Sequence, residues 1–169
     1  SLMEKIDTNR RCFAHCGSNK DFCDMIPGII RHYGENPRFA MGAVLCDPNG
    51  YEVPVMSLQW LNRQCPKIDV IIHWNSSSHK RSRKAGHESA QQPLPDVIDQ
   101  IGKKHWLIRQ PIQSDKHQFT MLIGRNHRFG DYKAQGYFRL DSQKGQDILM
   151  RCQLTSAEYM DQSGQGDMF

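Results

Sequence analysis

The sequence has no run of the roughly 18 consecutive apolar residues that a membrane-spanning helix needs. It also has no basic segment followed by an apolar one near its start, so it shows no secretory signal. Hydrophobic residues make up 38% of the 169 residues and charged residues 24%, which is enough apolar content for one folded domain. We therefore expect a cytoplasmic protein with no membrane partner.

Paired short cysteine spacings are also absent. Cys12, Cys16 and Cys23 cluster near His15 and His32, but no second pair of cysteines or histidines follows at the spacing of a zinc site. The six cysteines do not form the framework of a small secreted disulfide protein either. We expect reduced thiols and no metal.

Two classes of enzyme lack their signatures. There is no G-x-S-x-G elbow of a nucleophilic hydrolase, and Asp47, Glu52 and Asp69 are too few to predict a metal-dependent nuclease. The excess of 22 Lys and Arg over 18 Asp and Glu gives a net charge of +4. This charge is a mild indication of a nucleic-acid partner and does not establish one.

The first half of the chain predicts alternating helices and strands. Apolar spacing indicates a helix near 21–30, a strand over 39–46, a helix near 55–61 and a strand over 68–72. Both strands are continuous apolar runs, which are typical of strands buried on both faces of a parallel sheet. Strand, helix and strand at this spacing predict a βαβ unit.

Residues 76–95 have a different composition. They contain five serines, two glutamines and one glycine, and they carry the cations Lys80, Arg81, Arg83 and Lys84. This composition predicts a long, flexible basic loop. We expect its cations to contact phosphate, and the alternative is a solvated loop without a ligand.

The remaining segments complete one α/β domain over 3–152, followed by a flexible tail over 153–169. Their patterns predict a helix over 96–104, strands over 106–109 and 119–124, and a last strand or short helix within 137–150.

The order of these elements is similar to the second half of a class I S-adenosylmethionine-dependent methyltransferase. Three segments, 44–50 (VLCDPNG), 67–75 (KIDVIIHWN) and 119–126 (FTMLIGRN), resemble the three-Cys-motif partner proteins, a methyltransferase-like group of prokaryotes and their viruses. The resemblance covers roughly Arg11 to Arg151. It implies a three-layer α/β domain with a mainly parallel, Rossmann-like sheet.

The resemblance also implies an acceptor site after the first of the strands above. In amino-methyltransferases of this fold the corresponding turn reads Asp/Asn-Pro-Pro-aromatic, and it holds an exocyclic amino group for methyl transfer. Asp47 and Pro48 match, Asn49 stands in place of the second proline, and Gly50 stands in place of the aromatic residue, with Tyr51 one step further. Asp47, Pro48 and Asn49 are the implied catalytic residues and Tyr51 a substrate contact; a plain turn after a strand is the alternative.

S-adenosylmethionine is the implied cofactor, but its usual loop is missing from the sequence. This fold normally binds it with a glycine-rich turn after the first strand and an acidic residue after the second. The sequence has neither, which implies a domain without the N-terminal cofactor-loop part. Catalysis would then need another segment or chain, and an exposed sheet edge predicts a homo-oligomer.

Four further residues are candidate contacts to nucleic acid. Trp74 and Asn75 follow one buried strand, where they would stack on a base and hydrogen-bond its edge. Arg125 and Asn126 follow another, and in a parallel sheet both pairs converge on one crevice. The expected function is a methyltransferase-like domain that acts on or binds nucleic acid. The alternative is a catalytically silent α/β protein that binds nucleic acid or a protein partner.

Overall fold

The computed structural model describes residues 19–48, 52–114, 117–155, 158, 159 and 161. Its helices are α1 (Asn19–His32), α2 (Val55–Gln64), α3 (Ser76–Lys84), α4 (Leu94–Ile101) and α5 (Gln143–Gln153), with short 3-10 turns at Glu88–Ala90 and Lys133–Gln135. Its strands are β1 (Gly42–Cys46), β2 (Ile68–Asn75), β3 (His105–Arg109), β4 (Ile112–Ser114), β5 (His117–Arg125) and β6 (Tyr137–Arg139). Most of the expected tail, 153–169, lies outside the described residues.

The strands form one mixed sheet in the order β1-β2-β5-β3-β6, and β4 pairs with β5. Only the β1 and β2 pair is parallel, and every other described pair is antiparallel. The expectation of a mainly parallel sheet is therefore wrong. Residues 110–116 between β3 and β5 are too few for the crossover that a parallel pair requires, so the chain turns back as a hairpin.

The predicted βαβ unit is present as β1, α2 and β2. Gly42 pairs with Ile68 and Cys46 pairs with Ile72, so the two strands run side by side in the same direction. Their carboxyl ends consequently lie next to each other at one edge of the sheet.

The expectation that the first strand is buried on both faces is wrong. Val44 and Cys46 are buried, whereas Leu45 between them is 58% exposed. β1 lies at one end of the strand order, and only one of its faces is covered.

The expected loop at 76–95 instead begins with the nine-residue helix α3. Asn75 caps it by accepting a hydrogen bond from Ser78 N–H, and Ser76 and His79 are buried. Its last turn carries Arg83 and Lys84, cations that the helix dipole favours there. The helix lacks an apolar stripe, so its stability comes from the cap and from packing.

The core covers one face of the sheet. Along β2 the residues Ile68, Val70, Ile72 and Trp74 are buried, and their neighbours Asp69, Ile71, His73 and Asn75 are half-buried. Leu122 and Ile108 extend the buried face across β5 and β3, and residues of α1, α2, α4 and α5 join the same apolar cluster. Among the described residues no helix is long and apolar enough to cross a membrane.

Candidate functional site

Asp47 and His73 lie side by side at the carboxyl ends of β1 and β2. The register pairs Cys46 with Ile72. Asp47 follows Cys46 and His73 follows Ile72, so these two residues are neighbours. Asp47 Oδ1 is 2.6 Å from His73 Nδ1, and the side chains are 62% and 31% exposed, respectively. In the tautomer that carries its proton on Nδ1, the imidazole donates this hydrogen bond to Asp47. His73 Nε2 is then the nitrogen that can accept a proton from a bound molecule.

The imidazole is held on the half-buried face of the sheet. Its ring meets the ring of Phe119 edge to face, with 5.1 Å between the centroids. Met121 is its cross-strand partner on β5, and the exposed Leu45 lies on the same side of β1. The pair therefore combines a polar, solvent-accessible end with apolar neighbours, an arrangement suited to general acid–base chemistry on a partly apolar molecule.

The other residues of the expected acceptor turn are only partly described. Pro48 follows Asp47 directly, whereas Asn49 and Tyr51 lie outside the described residues. The sequence identified Asp47 but did not pair it with His73. The available signal was the βαβ spacing, because parallel neighbours in register bring the residues after Cys46 and Ile72 together.

Trp74 and Asn75 have structural roles. Trp74 is 2% exposed and its ring lies 4.8 Å from that of His79, so its face is not available to a base. Asn75 Oδ1 accepts the hydrogen bond from Ser78 N–H that caps α3.

The four cations expected to contact phosphate divide into two groups. Lys80 Nζ donates to Gln118 Oε1 at 3.1 Å and to the Arg151 carbonyl at 2.6 Å, and burial lowers the pKa of this lysine. Arg83 donates to both carboxylate oxygens of Glu158, at 2.8 and 2.6 Å. Arg81 and Lys84 are exposed. Half of the expected basic surface is thus engaged within the protein.

Arg125 and Asn126 do not converge with Trp74 and Asn75. Because β5 runs antiparallel to β2, Arg125 lies at the amino end of β2, where its guanidinium contacts both oxygens of Asp69, at 3.3 and 2.5 Å. Asn126 Nδ2 donates to the Asn62 side chain and to the Pro66 carbonyl. Both residues connect structural elements at the edge opposite Asp47.

A cavity of about 660 Å³ lies at that opposite edge, near the start of β3. None of the expected site residues lines it, and its lining carries both signs of charge: Lys104, Arg128 and Asp99 line it, and so do Arg139 and Asp141, which are paired. The hydrogen bond from Arg139 lowers the pKa of Asp141. The described residues contain no group of three or more His, Cys, Asp or Glu side chains placed to hold a metal ion.

The described residues do not fit S-adenosylmethionine. The described glycines with positive φ, Gly34, Gly86, Gly102 and Gly136, each follow a helical segment, not a strand. Gly124 lies within a strand beneath the Trp106 ring. No glycine-rich turn between a strand and a helix is found in 19–48, 52–114 or 117–155.

Comparisons of the chain with protein-family models, with curated proteins and with solved structures give no match.

Proposed function

We propose that this chain is a methyltransferase-like α/β domain that binds or modifies nucleic acid at the carboxyl ends of β1 and β2. The observation that carries the proposal is the 2.6 Å contact between Asp47 and His73. In open α/β sheets, ligands bind outside the carboxyl ends of the parallel strands, and this is where the pair lies.

The order of elements supports the same proposal. β1 is followed directly by Asp47-Pro48 and then by α2, β2, a helical segment and the β3–β5 hairpin. This is the order on which the methyltransferase resemblance rests. A three-layer Rossmann-like arrangement is part of the proposal. The half-buried face that carries Ile71, Met121 and Ile123 is where a third layer would pack.

The proposed role of the pair is to hold and deprotonate an amino group of a base. Asp47 fixes the imidazole through Nδ1, and His73 Nε2 would accept the proton that the amino nitrogen loses when its lone pair bonds to the methyl carbon. S-adenosylmethionine, if bound, would supply that methyl group, and its C–S bond would break to release S-adenosylhomocysteine. Because the described residues do not fit this cofactor, its site must come from another segment or another chain.

A catalytically silent binding protein is the second candidate. It is favoured by the same lack of a fit for the cofactor among the described residues.

We also predict a homo-oligomer formed through the edge strand β1, and light scattering is the measurement that tests it.

Two measurements separate the candidates. Calorimetric titration of the full chain with S-adenosylhomocysteine tests for the cofactor site, and transfer of labelled methyl groups to single-stranded oligonucleotides tests for activity. For the enzyme we expect Asp47→Asn and His73→Gln to lower transfer by roughly 10²–10⁴-fold. Asp141→Asn, which breaks an exposed ion pair at the other edge, is the matched control and should leave transfer unchanged.

The outcomes are distinct. Equal losses in the control and in the site variants would contradict a role for Asp47 and His73. If the chain shows neither heat with the cofactor product nor methyl transfer, but still binds oligonucleotides, the silent binding protein is correct. A chain that binds no nucleic acid at low salt contradicts the proposed function and leaves a silent protein with a protein partner as the remaining alternative.

A further inference from the structure

Three arginines surround a cleft of about 320 Å³ near the amino end of β1. Arg31 lies in the last turn of α1, Arg38 in the loop before β1, and Arg63 in the last turn of α2, and all three are exposed. The other lining residues, Asn36, Pro37 and Gln64, are neutral. The cleft, here called the arginine cleft, thus has three positive side chains and no carboxylate in its lining.

Hydrogen bonds connect the elements around the arginine cleft. Arg31 Nη2 donates to Gln64 Oε1 at 3.1 Å, which connects the ends of α1 and α2. Arg38 N–H donates to Asn36 Oδ1 at 3.0 Å, next to the buried Pro37. These contacts fix where the side chains emerge, so a ligand would meet a largely formed site.

Helix electrostatics account for only two of the arginines. The carbonyl ends of α1 and α2 stabilise Arg31 and Arg63, because cations are favoured in the last turn of a helix. Arg38 lies outside any helix and faces the same cleft. Glu35 is in the same loop but does not line the cleft. An anion between the three guanidinium groups would relieve their mutual repulsion.

An exposed aromatic ring follows Arg38 in the chain. Phe39 is 67% exposed, and Lys67 Nζ lies 5.3 Å from its ring centroid. The backbone N–H of Phe39 donates to the Asn36 carbonyl at 2.9 Å, so Phe39 is connected to the loop of the arginine cleft. Cations beside an exposed aromatic ring are the combination with which proteins bind single-stranded nucleic acid, through phosphate contacts and base stacking.

We propose that the arginine cleft binds a backbone phosphate of single-stranded nucleic acid and that Phe39 stacks on a neighbouring base. The inference rests on the proposed function for the identity of its ligand. The arginine cleft and Asp47 lie toward opposite ends of β1, which spans about 17 Å at 3.3 Å per residue. A single-stranded segment of roughly five nucleotides is long enough to reach the arginine cleft and Asp47 together.

The test measures the fluorescence anisotropy of a labelled oligo(dT) of about 12 nucleotides over a range of salt concentrations. The cleft variant combines Arg31→Gln, Arg38→Gln and Arg63→Gln. The control combines Lys104→Gln, Lys133→Gln and Lys144→Gln, which removes the same charge from exposed positions that neither line the arginine cleft nor belong to the cations expected to contact phosphate. Thermal melting confirms that each variant is folded.

We expect the cleft variant to bind at least about tenfold more weakly and to lose roughly 0.7 of a unit of salt slope, the value for one phosphate contact on a single strand. The control variant should keep most of the wild-type affinity and most of the wild-type salt slope. Lysine at the three cleft positions should restore the salt slope. Phe39→Leu should weaken binding about fivefold or more without changing the slope, since it removes stacking and no charge.

Two results would overturn the inference while leaving the proposed function in place. One is a cleft variant that binds the oligonucleotide with the same affinity and the same salt slope as the wild type. The other is displacement of the oligonucleotide by inorganic phosphate at an equal phosphate concentration, which would indicate a site for free phosphate. A wild-type chain that does not bind the oligonucleotide at low salt overturns the inference and the proposed function together.

Discussion

The indole ring of Trp106 lies directly against Gly124, its partner across β3 and β5. A Cβ at position 124 would come within 2.8 Å of three carbons of the ring. The indole is 8% exposed and belongs to the core cluster, so it has little room to move away. The glycine is therefore required by close packing and not by an unusual backbone angle.

Gly124→Ala should destabilise the protein by about 1–3 kcal/mol, because the added methyl overpacks the core. That change corresponds to a melting temperature several degrees lower for a chain of this size. The matched control is Gly130→Ala, where a Cβ would meet nothing within 4 Å. Equal melting temperatures for the two variants in a thermal denaturation experiment would contradict this packing argument.

Asn75 offers a second test of a structural role. Its side chain accepts the hydrogen bond from Ser78 N–H at the start of α3. Asn75→Ala removes this cap and should cost about 1 kcal/mol in chemical denaturation, whereas Asn75→Asp keeps an acceptor and should cost much less. If both variants are equally unstable, the amide of Asn75 has another role than capping.

The sequence predicted the elements that have their own periodic pattern. α1, α2 and α4 carry apolar residues at helical spacing, and the β1–α2–β2 unit follows from two apolar runs at crossover spacing. α3 has no apolar stripe, so it was expected to be a loop. Its stability depends on the Asn75 cap and on burial of Ser76 and His79, which local sequence does not reveal.

The candidate site was predictable in part for the same reason. Asp47 follows a recognisable strand, but its contact with His73 depends on the register of two strands that are distant in sequence. Arg125 was placed at the wrong edge because the direction of β5 is set by the short connection from β3, which makes a hairpin. Direction and register are tertiary properties, and they decide which polar residues meet.

Lys103 is an ionisable group inside the core. It is 6% exposed, and its Nζ donates to the Ile68 carbonyl at 2.6 Å. Burial lowers its pKa from the ordinary 10.5 to about 8. Between these two values the unfolded chain binds more protons at this lysine than the folded chain, so its contribution to the free energy of unfolding rises with pH. The destabilisation caused by burying the charged lysine is complete below pH 8 and disappears towards pH 10.5.

The difference in unfolding free energy between the wild type and Lys103→Met should therefore shift in favour of the wild type by about 1–2 kcal/mol from pH 8 to 9.5. Urea denaturation at pH 7, 8 and 9.5 measures it, and the comparison cancels groups that titrate in both proteins. Lys104→Met, at the exposed neighbouring position, should show no such shift. A difference that is constant with pH would mean that Lys103 keeps its ordinary pKa.

The described cysteines should be unreactive while the protein is folded. Cys23, Cys46, Cys65 and Cys152 are buried free thiols, and burial raises the pKa of each. For Cys46 the pKa is raised to about 12, with the neighbouring Cys23 and Asp47 as further causes. At pH 8 this lowers the reactive thiolate fraction roughly a thousandfold relative to an ordinary thiol.

We expect iodoacetamide at pH 8 to leave Cys46 unmodified in the native protein and to modify it readily after unfolding in guanidinium chloride. Peptide mapping by mass spectrometry follows each cysteine separately, so the same residue in the two states is its own control. Labelling of Cys46 at equal rates in both states would show that the thiol is accessible and ionised in the folded chain. Because Cys46 directly precedes Asp47, its protection in the native state also reports whether the carboxyl end of β1 stays folded.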